Sequence, residues 1–367
     1  MGSAVYIASA QGYTGKSTVA LGVLEQLSRR VGRVGVFRPV VRAGSSAEGE
    51  RDYVLDLLVS HEAVTLPYDD CAGVTYDQVH ADPVAAMETI LERYHHVAEQ
   101  CDAVVVVGSD YTDIGTPTEF SYNARIAANL AAPVLLVLNA AGIGVEDLHT
   151  LAAMATDELR AQHGTLLGVV ANRVEGATDV AVEAVAFGDA LAFALPDEPL
   201  LSAPSMGELL VACGGTMRSG DESLLLNEVT GLVVAAMTMP HVLDRLFDGA
   251  VVITPGDRPE VVLGTLMAHV SAGFPRISGI VLNGGLDLPD QIVRLIDGLG
   301  ATMPIVATDL GTHATISALN DVRGRLTKES TRKIATALSL FEAHVDGEAL
   351  LDRLALARTE IVTPLMF

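Results

Sequence analysis

The chain has 367 residues, half of them hydrophobic, with 46 acidic against 23 basic side chains and a net charge of -23. At roughly 100 to 200 residues per domain, that length predicts two domains. The acidic field argues against nucleic acid or anionic lipid as partners, and no run approaches the roughly 20 apolar residues of a membrane span. With no cationic, apolar leader at its start, the chain is expected in the cytoplasm.

In chain order, "AVYIA" predicts a short buried strand, "QGYTGKST" a glycine-containing loop, and the residues from Lys16 to Leu27 a helix. Strand, loop and a helix opening on Gly-Lys-Ser have the spacing of a phosphate-binding P-loop. The backbone N–H groups of Gly12, Tyr13, Thr14, Gly15, Lys16, Ser17 and Thr18 would wrap an anion, Lys16 would supply charge, and the Ser17 hydroxyl could sit on Mg²⁺. Ala10 stands where a first glycine is usual, and a residue that small is sterically tolerable.

Further apolar runs follow: "RVGVF", "AVVVVG", "PVLLVLNA", "LLGVVAN" and "ALAFALP", alternating with helical patterns. Continuous runs suit strands buried on both faces, so this half predicts a parallel, doubly wound sheet with its ligand at the carboxyl ends of the strands. A second series, "TGLVVAAM", "DGAVVITPGDR", "ISGIVLNGG" and "MPIVATD", predicts a second, smaller αβ module. The expected boundaries are a P-loop domain over 1–211, a polar, glycine-rich linker over 212–223, the second module over 224–345 and a helical tail over 346–367. Cys71, Cys101 and Cys213 lack metal-ligand spacing and are read as reduced thiols in or near cores. "TPGDR" places Asp257 and Arg258 at the carboxyl edge of the second sheet, with Asn283 and Asp309 on neighbouring edges. Two readings stand there: an Asp-Arg pair stapling a turn, or a ligand or subunit contact.

The phrases "QGYTGKST", "FRPV", "GVVANRV" and "FALPDEPLLSAPSMGEL" resemble dethiobiotin synthetase and the related P-loop ligases. "ITPGDRPEVVLG", "GIVLNGG" and "PIVATDLGTHATISAL" resemble the DRTGG domain, although "DRPEVVLG" lacks the name-giving glycines. The two modules in this order are similar to the N-terminal region of long-form phosphate acetyltransferases, whose acyltransferase domain is absent from the sequence. The resemblance implies a regulatory, homo-oligomer-forming region that binds a small phosphorylated effector, with ATP or another nucleotide as the candidate ligand and Mg²⁺ left open. It implies an attached or separate acyltransferase domain as partner. Two alternatives remain: a stand-alone ATP-dependent ligase and a scaffold that binds nothing.

By the same resemblance Arg38 takes the place of a substrate- and phosphate-binding lysine, and Asn172 would reach an adenine edge or else cap its strand. Glu119 and Asn123 also match family positions. An acidic metal ligand expected at the end of the "AVVVV" run is replaced by Val107, so Asp110 is the remaining candidate beside Ser17. A missing carboxylate argues against phosphoryl transfer, whereas binding needs less. The ligase alternative requires Asp52, Asp110 and Asp113 to converge on Ser17.

Overall fold

The computed structural model describes residues 3–42, 51–109, 118–300 and 302–362. They form two compact units, one of residues 1–198 with 326–367 and one of residues 199–325. The first unit runs β1 (Ser3–Ala8), α1 (Lys16–Ser28), β2 (Val34–Val41), α2 (Tyr53–Val59), α3 (Tyr68–Cys71), β3 (Ala72–Thr75), α4 (Tyr76–Ala81) and α5 (Pro83–Gln100). It continues through β4 (Ala103–Val107), α6 (Thr118–Asn129), β5 (Val134–Asn139), α7 (Val145–Ala161), β6 (Leu166–Val174), α8 (Thr178–Ala184) and β7 (Leu191–Pro196). Every strand pairing is parallel, in the order β3-β2-β4-β1-β5-β6-β7. This is the doubly wound sheet the apolar runs predict, and β2 and β4 are buried at every position.

Alternation within the strands assigns the two faces. Tyr6, Val104, Val106 and Leu136 meet Ile90 of α5, Ala124 of α6 and Leu148 of α7 in one apolar cluster. The opposite face takes α1, whose Val19, Ala20, Leu21, Val23 and Leu24 are all buried. A helix apolar on all sides needs cover on its outer side as well. Helix α15 (Thr331–His344) supplies it, lying against both α1 and β7, and α16 (Gly347–Val362) follows against α1 and β1. Lys328 anchors the returning chain through a 2.7 Å ion pair to Asp56.

The second unit runs α9 (Pro199–Ser202), α10 (Met206–Ala212), β8 (Thr216–Ser219), a 3-10 turn (Glu222–Leu226), β9 (Gly231–Val234), α11 (Met239–Leu243) and β10 (Ala250–Pro255). Then come α12 (Pro259–Val270), β11 (Gly279–Asn283), α13 (Asp290–Leu299), β12 (Ile305–Ala307) and α14 (Thr312–Asn320). Its sheet has the order β8-β12-β11-β10-β9, parallel except for β8 against β12. Residues 212–223, expected as a linker, therefore include an edge strand of this sheet, and α15, expected in the second module, belongs to the first unit. Composition misled at both places: polar residues suit an exposed edge strand as well as a linker, and α15 is recruited by the apolar outer side of α1.

All three cysteines are buried. Burial pushes each thiol up, that of Cys71 to about 12, so on the order of one Cys71 in ten thousand is thiolate at pH 8. The folded chain is expected to resist iodoacetamide at that pH and to take three adducts in urea, read by intact mass. Fast labelling of Cys71 in the folded chain would contradict this burial.

Candidate functional site

The carboxyl end of β1 turns sharply into the loop, where the Ser9 hydroxyl donates to Gln11 O at 2.8 Å. Tyr13 adopts φ 56° and is 74% exposed, and Gly15 adopts φ 78° as the N-cap of α1. The Gly15 carbonyl accepts from Thr18 N at 3.0 Å, which starts the helix and leaves its first amides facing out of its positive end. The first turn of α1 holds no acidic side chain to neutralise that end. The Thr14 hydroxyl is buried with no hydrogen-bond partner among the described residues, and Ser17 is half-buried at the second helical position. An anion seated on these amides fits this donor set.

Lys16 is 4% exposed, and its ammonium donates to Ser109 O at 2.9 Å. Ser109 is itself fixed by Asn123, whose Oδ1 accepts from Ser109 N at 3.1 Å and from the Tyr6 hydroxyl at 2.7 Å. Burial, the dominant influence, pushes the Tyr6 phenol far above its ordinary range, so it stays a donor. Asn172 is buried at the end of β6 and donates to Thr14 O at 2.8 Å. Its amide sits so close that a Cβ on Gly15 would lie 2.2 Å from Nδ2. Asn172 thus spends a donor on the loop itself, a role that neither an adenine contact nor a strand cap anticipates. The next residue, Arg173, has φ 63° and is held by a 2.9 Å ion pair to Asp197 beyond β7.

Arg38 is buried against the end of β4. It is 1% exposed within β2, donating from Nη1 to Gly108 O at 2.7 Å and Val107 O at 3.3 Å, and from Nε to Asp52 at 3.2 Å. Asp52 is 3% exposed, and its other oxygen caps α2 by accepting from Val54 N at 3.0 Å and Leu55 N at 3.1 Å. The position expected to carry a metal carboxylate is Val107, whose carbonyl instead accepts from Arg38. Asp52, one of three acids the ligase alternative needs at Ser17, has both oxygens committed to Arg38 and α2; Asp110 and Asp113 lie outside the described residues. Among the described residues, no cluster of three His, Cys, Asp or Glu side chains could hold a metal ion. A cavity of about 450 Å³ opens beside the ends of β5 and β6, between Gly144 and Glu175, and is not lined by the P-loop.

In the second unit the four predicted edge residues do fall at the carboxyl ends of adjacent strands. Arg258 pairs with Glu260 at 2.5 Å and donates to Met237 O at 3.0 Å, rather than bonding Asp257. Asn283 is buried at the end of β11 with its amide 2.8 Å from the Thr312 hydroxyl. With its oxygen on that side it accepts from Thr312 N at 3.1 Å, and its nitrogen donates to Thr254 O at 3.2 Å. Gly285, at φ 65°, brings the chain against Asp309, whose Oδ1 is 3.2 Å from the place of a Cβ. These contacts are internal ties of the sheet edge.

The P-loop, its sheet and the second module define the class. Residues 3–205 match the AAA domain and the chain belongs to that family, while residues 208–322 match the DRTGG domain. Across its length the chain is similar to phosphate acetyltransferases. It is 31% identical over 381 residues to that of Nitratidesulfovibrio vulgaris and 31% over 387 residues to that of a Synechocystis species, in each case covering 100% of this chain and 54% of the relative. The chain thus spans about half the length of these curated relatives and corresponds to the N-terminal region of the long form. Among solved structures, the CBS and DRTGG domains of the regulatory region of Clostridium perfringens pyrophosphatase, complexed with the activator diadenosine tetraphosphate, match at 14% identity and a TM-score of 0.28. That match covers 47% of this chain and 70% of the other. No helix among the described residues is long and apolar enough to cross a membrane.

Proposed function

We propose that this chain is the regulatory and homo-oligomer-forming region of a phosphate acetyltransferase, the enzyme that interconverts acetyl-CoA plus phosphate with acetyl phosphate plus CoA. Its P-loop binds a nucleotide or other phosphorylated effector without hydrolysing it. The observation that carries this reading is a division within the site. The helix end, the Gly15 turn and Lys16 suit anion capture, while Arg38 and Asp52, which a ligase would turn toward substrate and metal, are buried and paired with each other. Effector control of an attached acyltransferase domain then needs only a difference in effector affinity between two states of the assembly.

Calorimetry with ATP, ADP, NADH, inorganic phosphate and sulfate is the test. At least one of these is expected to bind wild type and to lose at least tenfold in affinity, about 1.4 kcal/mol, in Lys16→Ala. Silence across the whole panel would refute the reading. Mg²⁺-dependent ATP turnover near ~1 per second, abolished in Lys16→Ala, would replace it with the ligase.

A further inference from the structure

We propose that α1 is a coupling rod. Occupancy of the P-loop at its N-terminus is transmitted along it to the α15–α16 pair, which alternates between a tightly docked and a loosened arrangement. This rests on the reading that the loop binds a phosphorylated ligand and adds how that binding is communicated.

One stripe of α1 faces the returning helices. Gly22 and Gln26 lie four positions apart on one face of α1, and Arg29 and Arg30 follow in the turn just beyond its last residue, Ser28. Each one meets α15, α16 or the turn between them. The Phe341 ring occupies the place of the missing Gly22 side chain, with Cγ, Cδ2 and Cδ1 at 2.2, 2.4 and 2.6 Å from an ideal Cβ position. Gln26 covers Gly347 in the same manner, its Oε1 being 2.6 Å from a Cβ built there. Arg29 pairs with Glu342 at 3.0 Å and Arg30 with Asp352 at 3.4 Å.

The two ion pairs are exposed and serve mainly to fix register. The glycine contacts matter more. With a ring seated on bare backbone, no flexible side chain stands between helix and neighbour to absorb a shift. Phe341 is fully buried, so a displacement of α1 has to be followed or accommodated by α15.

The other end of the rod is the anion site. Gly22 lies six residues beyond Lys16, about 9 Å along the axis. A phosphate on the first-turn amides competes with Ser109 O for the Lys16 ammonium, and so changes the forces that hold this end of α1. In a protein of the relatives' length, α15 and α16 would stand between this region and a C-terminal domain, so a change in their docking would carry the signal onward.

Hydrogen–deuterium exchange on the full chain, with ATP and separately with inorganic phosphate as probes, tests this. Exchange is expected to slow at least threefold both at 12–24 and at 337–354, and Lys16→Ala is expected to erase both changes. Protection confined to 12–24 would overturn the coupling and leave the P-loop reading intact, whereas no protection at 12–24 together with no heat of binding would overturn both. Because coupling is reciprocal, Phe341→Leu is expected to shift ATP affinity at least twofold and to weaken protection at 337–354. Unchanged affinity and an unchanged exchange pattern in that variant would remove Gly22 as the link.

Discussion

Replacing Arg38 by Ala is expected to destabilise the first unit by about 3–5 kcal/mol, the range for breaking a buried pair from one side. The guanidinium ties three elements at once: it pairs with Asp52, which caps α2, and it donates to two carbonyls where β4 ends. Its loss leaves the Asp52 carboxylate in the interior without that counter-charge and strips Val107 O and Gly108 O of a donor. Arg38→Lys keeps a charge but cannot reproduce the fork, so an intermediate loss is expected. Pairing Arg38→Met with Asp52→Asn removes both charges and is expected to recover part of the deficit. Urea unfolding of wild type and the three variants measures the series. A loss below about 1 kcal/mol in Arg38→Ala, the scale of an exposed pair, would show that the bond does not bear on stability.

Gly15→Ala is expected to abolish effector binding while lowering stability by at least about 1–2 kcal/mol, the cost of a left-handed backbone for an ordinary residue. The φ of 78° is one obstacle and the Asn172 amide, 2.2 Å from the new Cβ, is the other. Pushing Asn172 away also releases its bond to Thr14 O, so the loop loses the brace that sets its amides. Asn172→Ala separates the two effects, since it removes the brace without the strain; its expected loss of affinity is about tenfold, one hydrogen bond's worth. Calorimetry on both variants decides the matter. Wild-type affinity in Gly15→Ala would mean that the loop amides do not form the binding surface.

Most strands of the first sheet are legible because each carries a continuous apolar run, and the P-loop is legible because its chemistry depends on local spacing. Strand β3 gives no such signal: "AGVT" is four residues at a sheet edge, too short to display a period. Arg38 shows the limit of residue type as a guide. An arginine after the second strand beside a P-loop suggests a hand for phosphate, yet its partner Asp52 is 14 positions away and only the fold brings the two into one dry pocket. Asn123 and Asn172 stand out by resemblance, but their duties toward Ser109 and Thr14 depend on contacts 14 and 158 residues apart in sequence, which no local pattern encodes. The split of Asp257 from Arg258 is local instead: Glu260, two residues on, lies on the first turn of α12 and takes the guanidinium.

The order in which the chain visits its two units has a practical bearing. Ser202 O accepts from Gly324 N at 3.0 Å, so the first and last turns of the second unit lie side by side. The second unit is thus an insertion within the sequence of the first, which resumes at Leu326. Truncation near residue 211 would therefore not isolate the P-loop domain; it would amputate α15 and α16 and expose the greasy flank of α1 around Gly22. Excision is the cleaner cut: Glu198 rejoined to Leu326 through a few glycines and serines keeps every helix that covers the sheet. Tolerance of length changes at such a junction is cheap in chain entropy, which explains how one fold can host a second without reorganising its own interior.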